Sequence, residues 1–132
     1  TGNDVAKSYV NKLNNTKKNN MLEIVNHAKK AKKFLLSKNY DSFGSLLNET
    51  WKMKRSISNN ITNPKIDKMY DFGLRNGALG GKLLGAGSAG YLLFYIPTKK
   101  KRNFLKKFEK FITIPLKFEN RGSEIIFNDQ GN

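Results

Sequence analysis

Six of the eleven glycines in the chain lie between positions 77 and 90, at Gly77, Gly80, Gly81, Gly85, Gly87 and Gly90, and no other feature restricts the fold as strongly. Each of them forgoes side-chain packing and raises the entropy cost of folding, so a helix through this stretch is disfavoured. Apolar runs flank the cluster, Lys82 to Leu84 and Tyr91 to Ile96, and read as two strands joined by a tight loop. The glycine density is more than a simple hairpin needs. It points to a loop whose backbone approaches a ligand and turns N–H groups toward an anion. The competing reading is a packing turn, in which glycines let a strand and a helix come close.

Two familiar phosphate-binding motifs are excluded by context. Gly85-Ala-Gly87-Ser-Ala-Gly90 matches G-x-G-x-x-G literally, but a dinucleotide-binding turn opens a helix, and here Tyr91-Leu-Leu-Phe-Tyr-Ile96 is β-rich. A P-loop needs Ser or Thr after its lysine and a leading glycine; Leu83 follows Gly81-Lys82, and Asn76 holds the leading place.

Ahead of the glycines the chain reads as helices. Asp4 is a candidate cap for a short helix through Val5, Tyr9, Leu13 and Thr16, with a break expected at Lys17-Lys18-Asn19-Asn20. Met21, Ile24, Val25, Ala28, Leu35 and Leu36 predict a second helix of about four turns, with Lys29, Lys30 and Lys33 on its other face. A third follows Asn39-Tyr40-Asp41-Ser42, along Phe43, Leu46, Leu47, Thr50, Trp51, Lys54 and Ile57. Asn63-Pro64 opens a fourth, carried by Ile66, Tyr70, Gly73 and Leu74 and ended by Asn76-Gly77. After the glycine hairpin, Pro97-Thr98 starts a Lys-rich helix through Phe104, Leu105, Phe108 and Phe111. Ile114 to Phe118 and Glu124 to Phe127 are strand candidates that should pair around Asn120-Arg121-Gly122. The expected class is α+β, with about four strands in a mostly antiparallel sheet and about five helices.

Composition narrows the function. At 132 residues, 38% hydrophobic and 11% aromatic, the chain has apolar matter for one packed domain. Lacking cysteine, it holds no disulfide or thiolate metal site, and the lone His27 cannot build a histidine-based zinc site by itself. No signal pattern or membrane-length apolar run is visible, so the expected compartment is the cytoplasm. The start at Thr1, almost directly in a helix, suggests a piece of a longer chain. A net charge of +15 raises a non-enzymatic nucleic-acid-binding domain as an alternative. Against it, the cations are mostly scattered lysines and the aromatics fall on apolar helix faces, so nucleic acid is not the expected partner. A basic exterior would still steer anionic substrates such as ATP or a sugar phosphate.

The run Gly77-Ala-Leu-Gly-Gly-Lys-Leu-Leu-Gly-Ala-Gly-Ser-Ala-Gly-Tyr-Leu-Leu-Phe-Tyr95 resembles the third motif of the GHMP kinases. Trp51-Lys-Met-Lys-Arg-Ser-Ile57, Ile61-Thr-Asn-Pro-Lys-Ile-Asp67 and Phe118-Glu-Asn-Arg-Gly-Ser-Glu-Ile-Ile126 are similar to the D-glycero-D-manno-heptose 7-phosphate kinase branch. The resemblance implies a ferredoxin-like carboxy-terminal domain, with a four-stranded antiparallel sheet, closing on an amino-terminal domain of the same chain. It implies ATP and Mg2+ as cofactors and a sugar phosphate as substrate. The family's phosphate-gripping loop and acidic residues belong to the other domain, so no catalytic or metal-binding residue is expected here. It places Gly85, Ala86, Gly87, Ser88 and Ala89 beside the substrate phosphates. Ser88-Ala89 stand where the family usually has glycines, which would narrow backbone approach or add a hydroxyl hydrogen bond.

Other residues admit two readings each. Lys82 either places an ammonium near a phosphate or is a structural, solvent-facing lysine. His27 is read as a surface histidine on a polar helix edge, with no acid to orient it. Trp51 is read as a core anchor in preference to a sugar platform. Asp67 and Asp71 are four apart on one helix, but Asp67 in the first turn suits the helix dipole better than a metal.

Overall fold

The computed structural model describes residues 15–85 and 87–117. The elements run α1 (Asn15–Leu36), α2 (Tyr40–Ile57), α3 (Pro64–Arg75), β1 (Gly80–Leu84), β2 (Tyr91–Tyr95) and α4 (Thr98–Lys107). Among the described residues no helix is long and apolar enough to cross a membrane.

Local chemistry sets the helix ends much as expected. Asn39 caps α2, its Oδ1 accepting from the Ser42 amide at 3.3 Å. Asn63 caps α3 and Pro64 takes the first turn, where its missing N–H removes no helical bond. Gly77, at φ 112°, ends α3.

α1 departs from expectation. No break occurs at Lys17-Lys18-Asn19-Asn20; the helix passes through them, because neither Gly nor Pro interrupts Asn15–Leu36. Its buried stripe also differs. Met21, Val25 and Leu36 are exposed, and the protected residues are Ile24, His27, Ala31, Phe34 and Leu35. The short helix expected from Asp4 falls largely outside the described residues.

β1 and β2 pair antiparallel from Gly80↔Tyr95 to Leu84↔Tyr91. Register puts Gly81, Leu83, Leu92 and Phe94 on one face and Gly80, Lys82, Leu84, Tyr91, Leu93 and Tyr95 on the other. The first face meets the core, where Leu83 joins Trp51, Ile61 and Tyr70. Phe94 bridges to a second cluster of Ala78, Phe104 and Phe108, its ring 5.7 Å from Tyr70 and 5.6 Å from Phe104.

α2 lies along β1 in the same direction and meets residues of both its faces. Gly80 abuts the Gly44 carbonyl and Asn48, Trp51 packs with Leu83, and the residues after α2, Asn60 and Ile61, meet Gly87 and Ser88. Tyr95 closes the α2 start, its hydroxyl donating to Asp41 Oδ1 at 2.9 Å.

The four-stranded sheet and five helices are not what the described residues form: they hold two strands and four helices. Residues 112–117, which include most of the Ile114 to Phe118 candidate, are exposed and pair with no strand among the described residues. An extended segment with no partner ladder is not a strand, and Pro115 removes one of its donors. Phe118, the candidate Glu124 to Phe127 and their hairpin lie outside the described residues.

Candidate functional site

The loop between β1 and β2 is shaped by its backbone and held by the α2–α3 connection. Gly85, Gly87 and Gly90 take φ of 124°, 100° and 135°, and Ser88, a residue with a Cβ, takes φ 58°. A positive φ is uncommon for serine and must be held by its surroundings. Three hydrogen bonds do this. The Ser88 amide donates to Ile61 O at 3.1 Å, its hydroxyl to Asn60 O at 2.7 Å, and Asn63 Nδ2 donates to Ser88 O at 3.0 Å.

The same Asn63 side chain caps α3, its Oδ1 accepting from the Lys65 and Ile66 amides, both at 3.0 Å. One amide group therefore ties a helix start to the loop tip. Asn63→Ala should lower stability by about 1–2 kcal/mol, a typical cap loss. A urea titration should show the midpoint falling with its slope unchanged; an unmoved midpoint would contradict the dual role.

Ser88 adds a hydroxyl hydrogen bond, as one expectation had it, but toward the protein's own backbone. Both its donors face Asn60 and Ile61, whereas the Gly87 and Ala89 amides take no acceptor among the described residues. Gly85, Ser88 and Ala89 are exposed. Ala86 lies outside the described residues.

Much of the glycine density answers to packing. A Cβ on Gly80 would strike α2, and one on Gly81 would strike the Leu93 carbonyl. The loop glycines thus remain as the ligand-side candidates, while those of β1 serve strand and helix approach.

Lys82 lies half-buried on β1 opposite Leu93, on the face shared with Gly80. Near it is Lys54 of α2, a residue that sequence reasoning placed only on an apolar stripe. Burial, and secondarily the charge of Lys82, hold the Lys54 ammonium below the ordinary lysine range. Neither lysine forms an ion pair among the described residues. Arg55 beside them is already matched: its Nη1 donates to Asp67 Oδ1 at 2.7 Å, and Thr62 Oγ1 donates to the same oxygen at 2.9 Å. The Asp67 carboxylate is thus held by structural contacts, and Asp71 is exposed. Among the described residues no group of three or more His, Asp or Glu side chains is placed to hold a metal ion.

His27 overturns its sequence reading. It is 4% exposed, with Nδ1 2.7 Å from Thr50 Oγ1 and Nε2 3.6 Å from Glu23 Oε1. Thr50 gives its hydroxyl proton to Leu46 O at 2.8 Å, so Nδ1 carries the proton and donates. The histidine ties α1 to α2. The spacing of Ile24, His27, Ala31 and Phe34 was the available signal: His27 sits inside a helical stripe, with Glu23 one turn before it. Trp51, 1% exposed, is a core anchor and offers no open face to a sugar.

The family model described as GHMP kinases C terminal matches residues 31–111. A D-glycero-alpha-D-manno-heptose 7-phosphate kinase from Campylobacter jejuni subsp. jejuni serotype O:2 is 31% identical over 90 residues, 68% of this chain and 26% of that protein. A mevalonate kinase from Methanocaldococcus jannaschii is 34% identical over 68 residues, 52% of this chain and 21% of that protein. The chain therefore spans about a quarter of the length of these curated relatives. Among solved structures, L. major mevalonate kinase in complex with R-mevalonate superposes with a TM-score of 0.72 at 17% identity, over 83% of this chain and 34% of that one. At that identity the likeness concerns the fold.

Proposed function

The chain belongs to the GHMP kinase family, as a carboxy-terminal domain, and from this we propose that it forms part of an ATP-dependent sugar kinase completed by an amino-terminal domain of the same chain. The observation that carries the reading is the family match over residues 31–111, which takes in the glycine loop and both lysines. The proposed substrate is a sugar phosphate, D-glycero-D-manno-heptose 7-phosphate, phosphorylated at its anomeric hydroxyl; the 31% identical relative supports this choice.

In the proposed reaction the anomeric oxygen attacks the γ-phosphorus of ATP. The bond to the ADP oxygen breaks, and the hydroxyl proton passes to a base of the amino-terminal domain or to solvent. Transfer of this kind depends on positioning and charge stabilisation. The loop around Gly85, Ala86, Gly87, Ser88 and Ala89 would lie on the phosphate side, with the free amides of Gly87 and Ala89 and the Lys82 ammonium available to an anion. The described residues do not fit a magnesium site, and no step here runs through that ion. A cytoplasmic site of action accords with these substrates.

Purified full-length protein should consume ATP in proportion to added heptose 7-phosphate and yield a bisphosphate lacking a free anomeric centre. The 132-residue chain alone should show no turnover. No ATP consumption with any sugar phosphate, or turnover by the isolated chain, would contradict the proposal.

A further inference from the structure

Lys54 and Lys82 come from different elements, and the packing brings them together. Gly80 contacts α2 at Gly44 and Asn48, and two residues later on the same strand face stands Lys82. Because α2 and β1 run in the same direction, Lys54 follows Asn48 along α2 as Lys82 follows Gly80 along β1. A short way on, Asn60 and Ile61 hold the loop tip at Gly87 and Ser88. Both lysines are half-buried, and the carboxylate of Asp67 is taken by Arg55 and Thr62.

Two half-buried lysines with no counter-ion among the described residues are an arrangement that does not favour stability, since their mutual repulsion opposes it. An anion placed between them would offset that repulsion by its attraction to both. We propose that Lys54 and Lys82 form a two-point subsite for the phosphoryl dianion of a substrate, adjoining the glycine loop. The inference rests on the kinase reading for its ligand class but not for its geometry. The lowered basicity of Lys54 accords with it, because a bound dianion would raise it again.

The test uses the full-length protein, with Lys54→Met and Lys82→Met, which keep most of the apolar stem and remove the charge. Each should raise KM about tenfold or more for whichever substrate presents the phosphoryl group, as expected for a lost charge-assisted contact. A rise for the sugar phosphate assigns the subsite to the acceptor; a rise for ATP assigns it to the nucleotide. Lys54→Arg should recover part of the loss. Unfolding midpoints of the methionine variants should be unchanged or higher, which a purely structural lysine would not give.

A second measurement needs no activity. With lysines dimethylated by 13C-formaldehyde, titration with inorganic phosphate should shift the Lys54 resonance saturably and raise its pKa, and Lys82→Met should weaken that response. If phosphate binds in this way but no sugar phosphate is turned over, the kinase reading falls and the subsite stands. If neither KM moves and phosphate leaves Lys54 unshifted, the subsite is overturned.

Discussion

Gly80→Ala should destabilise the protein by about 3 kcal/mol or more, the upper end of the overpacking range. The added Cβ would collide with the Gly44 carbonyl and lie 2.7 Å from the Asn48 nitrogen and 3.0 Å from its Cβ. Two of these partners are helix backbone, which cannot swing aside as a flexible side-chain tip would. The only relief is for α2 to move off β1. That displacement would also disturb the Tyr70 contact to Asn48 and the Tyr95 packing against Gly44. Equilibrium urea unfolding should show a large fall in midpoint or no cooperative transition at all. A midpoint within error of the parent would mean that α2 does not lie against Gly80.

This packing role explains why the glycine cluster misled in part. From the sequence, Gly80 and Gly81 were indistinguishable from Gly85 and Gly87, since both groups lack a Cβ and their reasons differ only in what lies opposite. β1 and β2, the Asn63-Pro64 helix start and the stop at Gly77 were legible because capping and turn chemistry act over a few residues. What was not legible depended on partners distant in the chain. His27 is buried because Thr50 of α2 receives its proton, twenty-three positions away. Lys54 gains a possible role only because α2 and β1 lie side by side. The lysine-rich start of α1 suggested a break through composition, whereas a helix is broken by backbone chemistry that lysine and asparagine do not supply.

Tyr70 concentrates these long-range dependences, and its replacement is the second large effect expected. The ring is 0% exposed, lies against Trp51 and Phe94, and has Arg55 at 5.8 Å from its centroid. Its hydroxyl lies 3.0 Å from Asn48 Oδ1 and 3.3 Å from Gly81 O, so one proton serves α2 or β1 from α3. Tyr70→Ala should cost about 3–5 kcal/mol, as for other large aromatic truncations in a core. Tyr70→Phe keeps the ring and removes the hydroxyl, and should cost about 1 kcal/mol.

The pair also separates packing from ionisation. Burial pushes the Tyr70 phenol up to about 12 from its usual 10, against a weaker opposing effect of the Arg55 charge. The folded state therefore holds this proton more tightly than the unfolded chain. Its contribution is fully present below pH 10 and is lost as pH rises through about 12, with a slope of at most about 1.4 kcal/mol per pH unit. Tyr95, pushed up to about 12 chiefly by burial and then by Asp41, adds a similar slope in both proteins, so the difference between parent and Tyr70→Phe isolates Tyr70. Urea unfolding repeated from pH 9 to pH 12 should show the parent's advantage over Tyr70→Phe shrinking toward the alkaline end. A constant gap across that range would show that the phenol ionises as easily in the folded protein as in the unfolded chain, and would remove it from the core position assigned here.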